Sequence, residues 1–505
     1  MVIKWKQFKK NEYWWGGVIH DGRLMPISEK DNYSVNLSKK TAGNQSVPFF
    51  LSTKGRYIYD SNPFYISFKK GVITTDNNIE IIQSKGGTLR DAYIEAEQKH
   101  FPFSGKMPEP LFFNAPQYNT WAELTYSQNQ ESVLKYADAV IRNGYKPGIL
   151  MIDDTWQLDY GMWKFEVSRF PDPKKMVEQL HNMGFKVMLW VVPYISPDSY
   201  AFRMAENSKD RLLRDENGNP IIVKWWNGYS AMLDMNKPGD VEWIRSELED
   251  LRLKYGIDGF KFDGGNIEDF PDLPSDQIIK ASNGWHCFGG DYYDFHELKD
   301  TWNCGGKPYV QRLRDKYHCW GAEGLSDLIP DALTLSLTGH PFICPDMVGG
   351  GEWTCFRNNA TFDEELVVRF AQCSALFPMI QFSVAPWRIL NDENRETVYK
   401  AQRLHSDMGK EIEKIAAESA KSGEPMMKPL EYLYPGNGYE CITDEFILGD
   451  SILVAPVLEK GKTSRKVVFP QGAWCDTLDN TYVGPSVEEV AANITCLPWY
   501  RKKDS

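Results

Sequence analysis

Between Phe112 and Phe382 the sequence alternates short apolar runs of strand length with amphipathic helical stretches, and that alternation limits the chain to parallel α/β architectures. The runs are Phe112–Asn114, Gly148–Asp154, Lys186–Val191, Gly259–Asp263, Pro308–Arg312, Pro341–Asp346 and Pro378–Phe382. Helices are predicted between them, among them Pro173–Met183 and Val241–Tyr255, the second stopped by Gly256. Seven strand–helix units in a stretch of this length predict a (β/α)8 TIM-type barrel with one strand poorly marked.

The flanks have a different texture. Short β-type runs broken by turn residues, such as Val47–Ser52, Arg56–Tyr59 and Phe64–Phe68, predict an N-terminal β-sandwich-like domain. Beyond Pro425 the runs Glu445–Gly449, Ser451–Val457 and Arg465–Pro470 predict a small C-terminal β-domain. The expected division is 1–108, 109–425 and 426–505.

Charge and composition narrow the function. A net charge of -12, with no long Lys/Arg block, argues against a nucleic-acid surface and for small-molecule or neutral polymer substrates. The 25 Tyr, 26 Phe and 17 Trp suit stacking on pyranose rings, although large α/β cores use many aromatics too. Nine cysteines, all from Cys287 onward, form no CxxC pair or Cys/His cluster, so free thiols in a reducing compartment are expected. None of the eight His stands in a ligand-spaced pair, and no metal or cofactor is called for. The start Met1–Lys10 lacks the apolar core of a signal peptide, and runs such as Val187–Val192 are too short to span a bilayer. A soluble cytoplasmic protein without membrane or nucleic-acid partners is the expectation, and a homo-oligomer is compatible with it.

Acidic and aromatic residues collect where the predicted strands end: Asp153, Asp154, Trp156, Trp190, Asp263, Asp315, Asp346 and Trp387. A barrel carries its active site at that end. In Gly259–Gly265 the period of a strand puts Lys261 and Asp263 on one face and Phe260 and Phe262 on the other. A buried carboxylate is costly unless it has a partner or a task, and Lys261 would favour the ionised form that a nucleophile needs. A structural ion pair at a strand end would give the same pattern. Paired carboxylates are the requirement of glycoside hydrolysis. Asp263 is the first of such a pair, and Asp315 is the best placed second, with Glu323, Asp327, Asp153, Asp154 and Asp346 as competitors.

Several stretches together carry a family likeness: Leu150–Trp156, Arg169–Asp172, Leu189–Val191, Trp225–Gly228, Asp258–Asp263, Gly339–Gly350, Gln381–Arg388 and Gly449–Val457. In these the chain resembles glycoside hydrolase family 31, especially the branch containing the myogenesis-regulating glycosidase and bacterial α-galactosidases. The resemblance implies a retaining α-glycosidase with Asp263 as nucleophile. It also implies Asp315 as acid/base, five residues before Trp320-Gly321, held protonated at rest by the charge of Asp263 and partial desolvation. It makes Asp153, Asp154, Trp190, Trp226, Lys261, Lys299 and Asp346 the expected contacts of an oligosaccharide or glycoside substrate, although Trp190 and Trp226 also suit barrel-core packing.

Two departures from the branch stand out. Lys299 occupies the place of a substrate-binding Arg, ahead of an unusual Trp302–Gly306 segment, and Tyr317 replaces an often acidic residue. A Lys cannot reproduce a bidentate guanidinium fork. An α-galactoside is the first expected substrate, followed by α-glucosides, α-xylosides or modified sugars. The rival readings are a Schiff-base enzyme using Lys261 and a catalytically silent sugar-binding protein.

Overall fold

The computed structural model describes residues 4–37, 45–76, 79–271, 273–357 and 362–503. Its centre is an eight-stranded parallel sheet curled into a nearly closed barrel. The strands are β1 (Gln117–Asn119), β2 (Ile149–Ile152), β3 (Lys186–Val191), β4 (Gly259–Phe262), β5 (Phe295–Leu298), β6 (Gln311–Arg312), β7 (Ile343–Cys344) and β8 (Gln381–Phe382). They pair in the order β7-β6-β5-β4-β3-β2-β1-β8. Register runs straight across the site, with Trp190 opposite Lys261 and Lys261 opposite Glu297.

Two of the strands depart from the expectation. Phe112–Asn114 is not a strand; it belongs to a single helical turn, Leu111–Asn114, and the first strand is Gln117–Asn119. The poorly marked strand is β5. Both carry polar residues into the barrel, where they meet partners from other strands and strand ends: Asn119 Nδ2 donates to Asp153 at 2.8 Å, and Gln381 Nε2 donates to Glu297 at 2.6 Å.

The helices obey their stop and start signals. Helix α1 (Pro173–Asn182) starts at Asp172, whose side chain accepts from the Lys175 amide. Helix α2 (Pro238–Tyr255) ends at Gly256, in the left-handed region at φ 80°. Helix α3 (Ser275–Tyr292) covers the outer face of β4, with Trp285 5.0 Å from the Phe262 ring, centroid to centroid.

The N-terminal region is two four-stranded antiparallel sheets that share a core, with Trp14 and Phe50 from one packed on Phe68 from the other at 5.8 and 5.5 Å. This sandwich also braces the barrel. Gln45 Nε2 donates to the carbonyls of Lys299 and Arg312 at 3.2 and 3.1 Å, and Ser46 exchanges backbone bonds with Thr301 and Asn303. A six-stranded antiparallel sheet closes the C-terminal end. The buried Arg369 guanidinium ties it to the barrel by donating to the Ala492 and Lys462 carbonyls at 2.8 and 3.0 Å. Among the described residues no helix is long and apolar enough to cross a membrane.

Candidate active site

A cavity of about 500 Å³ opens at the C-terminal end of the strands. Its floor is made by β4 and the turn beyond it. Asp263 is 5% exposed, and its carboxylate accepts from the Trp190 indole at 2.9 Å and from the Gly264 amide at 2.9 Å. The chain then bends sharply. Gly264 and Gly265 both take left-handed φ values, 63° and 64°, and a Cβ on Gly264 would lie 2.6 Å from the Tyr194 ring. Only glycine fits there, and the turn is what aims the Asp263 carboxylate into the cavity.

Lys261 shares the Asp263 face of the strand as expected, but its direct partner is different. Its ammonium donates to Asp153 at 2.8 Å, with both groups buried. Burying two charges costs several kcal/mol each unless they meet. The cation that meets Asp263 is Lys299, from the loop after β5. Its Nζ lies 3.4 Å from Asp263 Oδ1 and 3.0 Å from Asp315 Oδ2, so those two oxygens are no more than 6.4 Å (3.4 + 3.0) apart.

Asp315 sits three residues beyond β6 with its side chain half exposed to the mouth. Besides Lys299 it is held by Arg312, whose Nη2 donates to Oδ1 at 2.7 Å. Burial works against charge on Asp263, but Lys299 and Lys261 outweigh it and hold the carboxyl at about 2. Enclosure likewise works against charge on Asp315, and Lys299 and Arg312 hold it well below the usual carboxylate range. The expectation that Asp315 rests protonated is therefore corrected: two cations 16 and 3 residues earlier in the chain keep it ionised.

Arg312 is a site residue that the strand pattern did not single out. It is 1% exposed and also donates to Asp346 at 2.5 Å and lies 3.3 Å from Glu297. Asp346, expected to touch the sugar, is fully buried beneath it and accepts from Arg312 and from the Lys316 amide. A strand-end carboxylate here anchors the guanidinium that faces the cavity, instead of facing the cavity itself.

The other expected contacts line the cavity. Asp153 is fixed by Asn119, at 2.8 Å, and by Lys261. Asp154 accepts from Tyr160 and Asn227, and burial together with the neighbouring Asp153 pushes its carboxyl up to about 7. Trp190 is almost fully buried, its indole N–H on Asp263 and its ring against Tyr160, whereas Trp226 is 49% exposed at the rim. Trp156 and Trp387 do not reach the cavity. Trp156 is buried and donates to the Trp190 carbonyl, and Trp387 packs on Tyr136 and Tyr145 outside the strands.

Of the unusual positions, Lys299 and Tyr317 line the cavity. Asn303 instead faces the sandwich, donating to the Tyr59 hydroxyl at 3.1 Å. The cavity is also lined by Trp121, Tyr126 and Trp353, packed edge to face within 5.3 to 6.2 Å of one another. No strand pattern announced these three. Among the described residues no group of three or more His, Cys, Asp or Glu is arranged to hold a metal ion.

Comparison with known proteins gives a consistent picture. The sequence matches the glycosyl hydrolases family 31 TIM-barrel domain over residues 110–318 and the family's C-terminal domain over 423–505. It is 31% identical to the myogenesis-regulating glycosidase of Mus musculus over 414 residues, which is 79% of this chain and 57% of that protein. It is 25% identical to the alpha-xylosidase XylQ of Lactiplantibacillus pentosus, over 88% of this chain and 60% of that one. The sulfoquinovosidase of Escherichia coli is 24% identical over 62% of this chain and 49% of its own length. The chain thus spans three-fifths or less of these relatives. Among solved structures, the family 31 dextranase of Flavobacterium johnsoniae complexed with glucose shares the fold, with a TM-score of 0.82 at 18% identity over 100% of this chain and 66% of that one.

Proposed function

Because the chain belongs to glycoside hydrolase family 31, whose barrel and C-terminal domains match more than half of it, we propose that it is a retaining α-glycosidase. Asp263 is the nucleophile and Asp315 the acid/base. One observation carries this reading: a single ammonium, Lys299, touches both carboxylates, which keeps their facing oxygens within 6.4 Å. Retaining enzymes hold the pair about 5 to 5.5 Å apart, and inverting ones about 6.5 to 9.5 Å, to admit a water.

In the first step an Asp263 oxygen attacks the anomeric carbon as its bond to the leaving oxygen breaks, and Asp315 gives that oxygen a proton. In the second, Asp315 takes a proton from water, whose oxygen displaces Asp263 from the anomeric carbon. Trp190 and Gly264 hold the carboxylate in line for attack. Asp315 is ionised in the free protein, so substrate entering between the carboxylates has to draw Lys299 away from Asp315 before the proton is taken up. Asp153, Asp154, Lys261 and Trp226 are the groups we assign to the terminal sugar, and Lys299 both to that sugar and to the charge balance.

An α-galactoside is the substrate we put first, on the motif likeness to the branch with bacterial α-galactosidases. α-Glucosides, α-xylosides and modified sugars come after it. A panel of aryl α-glycosides tests the reading. Turnover of one of them with release of the α-anomer supports it; initial release of the β-anomer, or no turnover of any, defeats it. With all nine cysteines present as free thiols, a reducing compartment is the location we assign.

Lys299→Met separates the roles of this ammonium. Lys299 stabilises the charged forms of Asp263 and Asp315, so its loss raises both carboxyls and Asp315 keeps its proton to higher pH. Both limbs of the kcat/KM profile, which report the free enzyme, should move to higher pH in the variant. A profile that only drops in height would show that Lys299 binds sugar without tuning the pair.

A further inference from the structure

The mechanism leaves one pair of nucleophilic side chains unused, and it lies at the root of the Lys299 loop. Cys287 is in the last turns of α3 and Cys304 comes after β5, and their sulfurs are 3.3 Å apart. Both point at one acceptor, Asn283 Oδ1, at 3.5 and 3.2 Å. Cys304 is 5% exposed, while Cys287 is partly exposed. The other seven cysteines make no sulfur–sulfur contact among the described residues.

We propose that Cys287 and Cys304 form a thiol–disulfide exchange site for low-molecular-weight disulfides, and that its closure shifts the loop carrying Lys299. The Cys287 thiolate attacks one sulfur of the small disulfide and expels the other half as a thiolate. Cys304 then gives up its proton and attacks the Cys287 sulfur of the mixed disulfide, expelling the second small thiol. Two protein thiols are oxidised to one disulfide, one small disulfide is reduced to two thiols, and the protons released by the cysteines end on those thiols.

The site sets the order of attack. The hydrogen bond from its neighbour lowers the Cys287 thiol, whereas that same bond and burial push Cys304 up. Cys287 is thus first to ionise and is also the one within reach of a reagent. A disulfide needs about 2.05 Å between sulfurs, so closure takes more than 1 Å out of the 3.3 Å gap. Cys287 is fixed in a helix, and the movement falls on the loop. There the Trp302 amide donates to Asn283 at 3.2 Å, and Lys299, five residues before Cys304, meets both carboxylates.

The activity part of this inference rests on the proposed function; the chemistry of the pair does not. The full chain is incubated with glutathione disulfide, alkylated, digested and mapped by mass spectrometry, and assayed on its best glycoside before and after dithiothreitol. The expected result is a Cys287–Cys304 linked peptide with activity about tenfold lower, restored by reduction, and neither change in Cys287→Ser. Both thiols remaining alkylatable, or a glutathione adduct on Cys287 that never resolves, overturns the exchange site. A linked peptide with unchanged activity overturns the coupling to Lys299. If the reduced protein cleaves no glycoside, the proposed function fails, and the linked peptide still decides the exchange site.

Discussion

Asp263→Asn is expected to lower kcat by about 10⁴-fold or more on every glycoside the protein cleaves, because it removes the atom that forms the covalent bond. Shape is nearly conserved and the fold should be retained, although Asn offers one acceptor oxygen where Asp263 offers two, so only one of the Gly264 (on Oδ1) and Trp190 (on Oδ2) donors keeps its partner. Charge is not conserved. Lys299, now facing one carboxylate instead of two, should pair more closely with Asp315, while Asp153, Asp154, Lys261 and Trp226 still line the cavity for the terminal sugar, so KM should change far less than kcat. Circular dichroism and a thermal melt close to wild type, with activity lost, are the checks. Substantial residual turnover would move the nucleophile elsewhere in the cavity.

Asp315→Asn should show the next largest effect, and one that depends on the leaving group. A positioned acid contributes roughly 10²- to 10⁴-fold, and only where the departing oxygen needs a proton. Sugar or alkyl leaving groups should therefore suffer that loss, while an activated nitrophenyl glycoside keeps most of its rate in the first step. The contrast is read as kcat/KM across leaving groups of falling acidity, steep for the variant and shallow for wild type. Equal behaviour of the two would shift the acid role to Glu323, which lines the same cavity.

Much of this site is legible in the sequence, because strand period and strand ends are local properties. Lys261 and Asp263 fall on one face two residues apart, and no fold is needed to see it. What the sequence hides is the identity of partners. The Lys261 ammonium goes to Asp153, 108 positions away, and Asp263 receives Lys299 instead. The charge state of Asp315 escapes for the same reason, since two cations decide it.

The strands that lack a clear signal, β1 and β5, also fail on partnership. Gln117, Asn119 and Glu297 point polar atoms into the barrel and are matched by Gln381, Asp153 and Arg312 from other strands. A single strand's hydropathy cannot report a cross-barrel pair. Asp346 carries the right signal, a carboxylate at a strand end, but it turns inward to Arg312. The aromatic rim comes from short helical turns, Trp121 and Tyr126 after β1 and Trp353 after β7, too brief for any periodicity to mark a face.

The covalent intermediate on Asp263 is the centre of this account, and trapping it is the direct measurement. The protein is incubated with a 5-fluoro glycosyl fluoride of the sugar it turns over, which slows breakdown of the intermediate more than its formation, and the peptides are mapped by mass spectrometry. The account predicts one glycosyl group per chain, on Asp263, lost with time as activity returns. A glycosyl group on any other residue, or continued turnover of the reagent with Asp263 never modified, would contradict it.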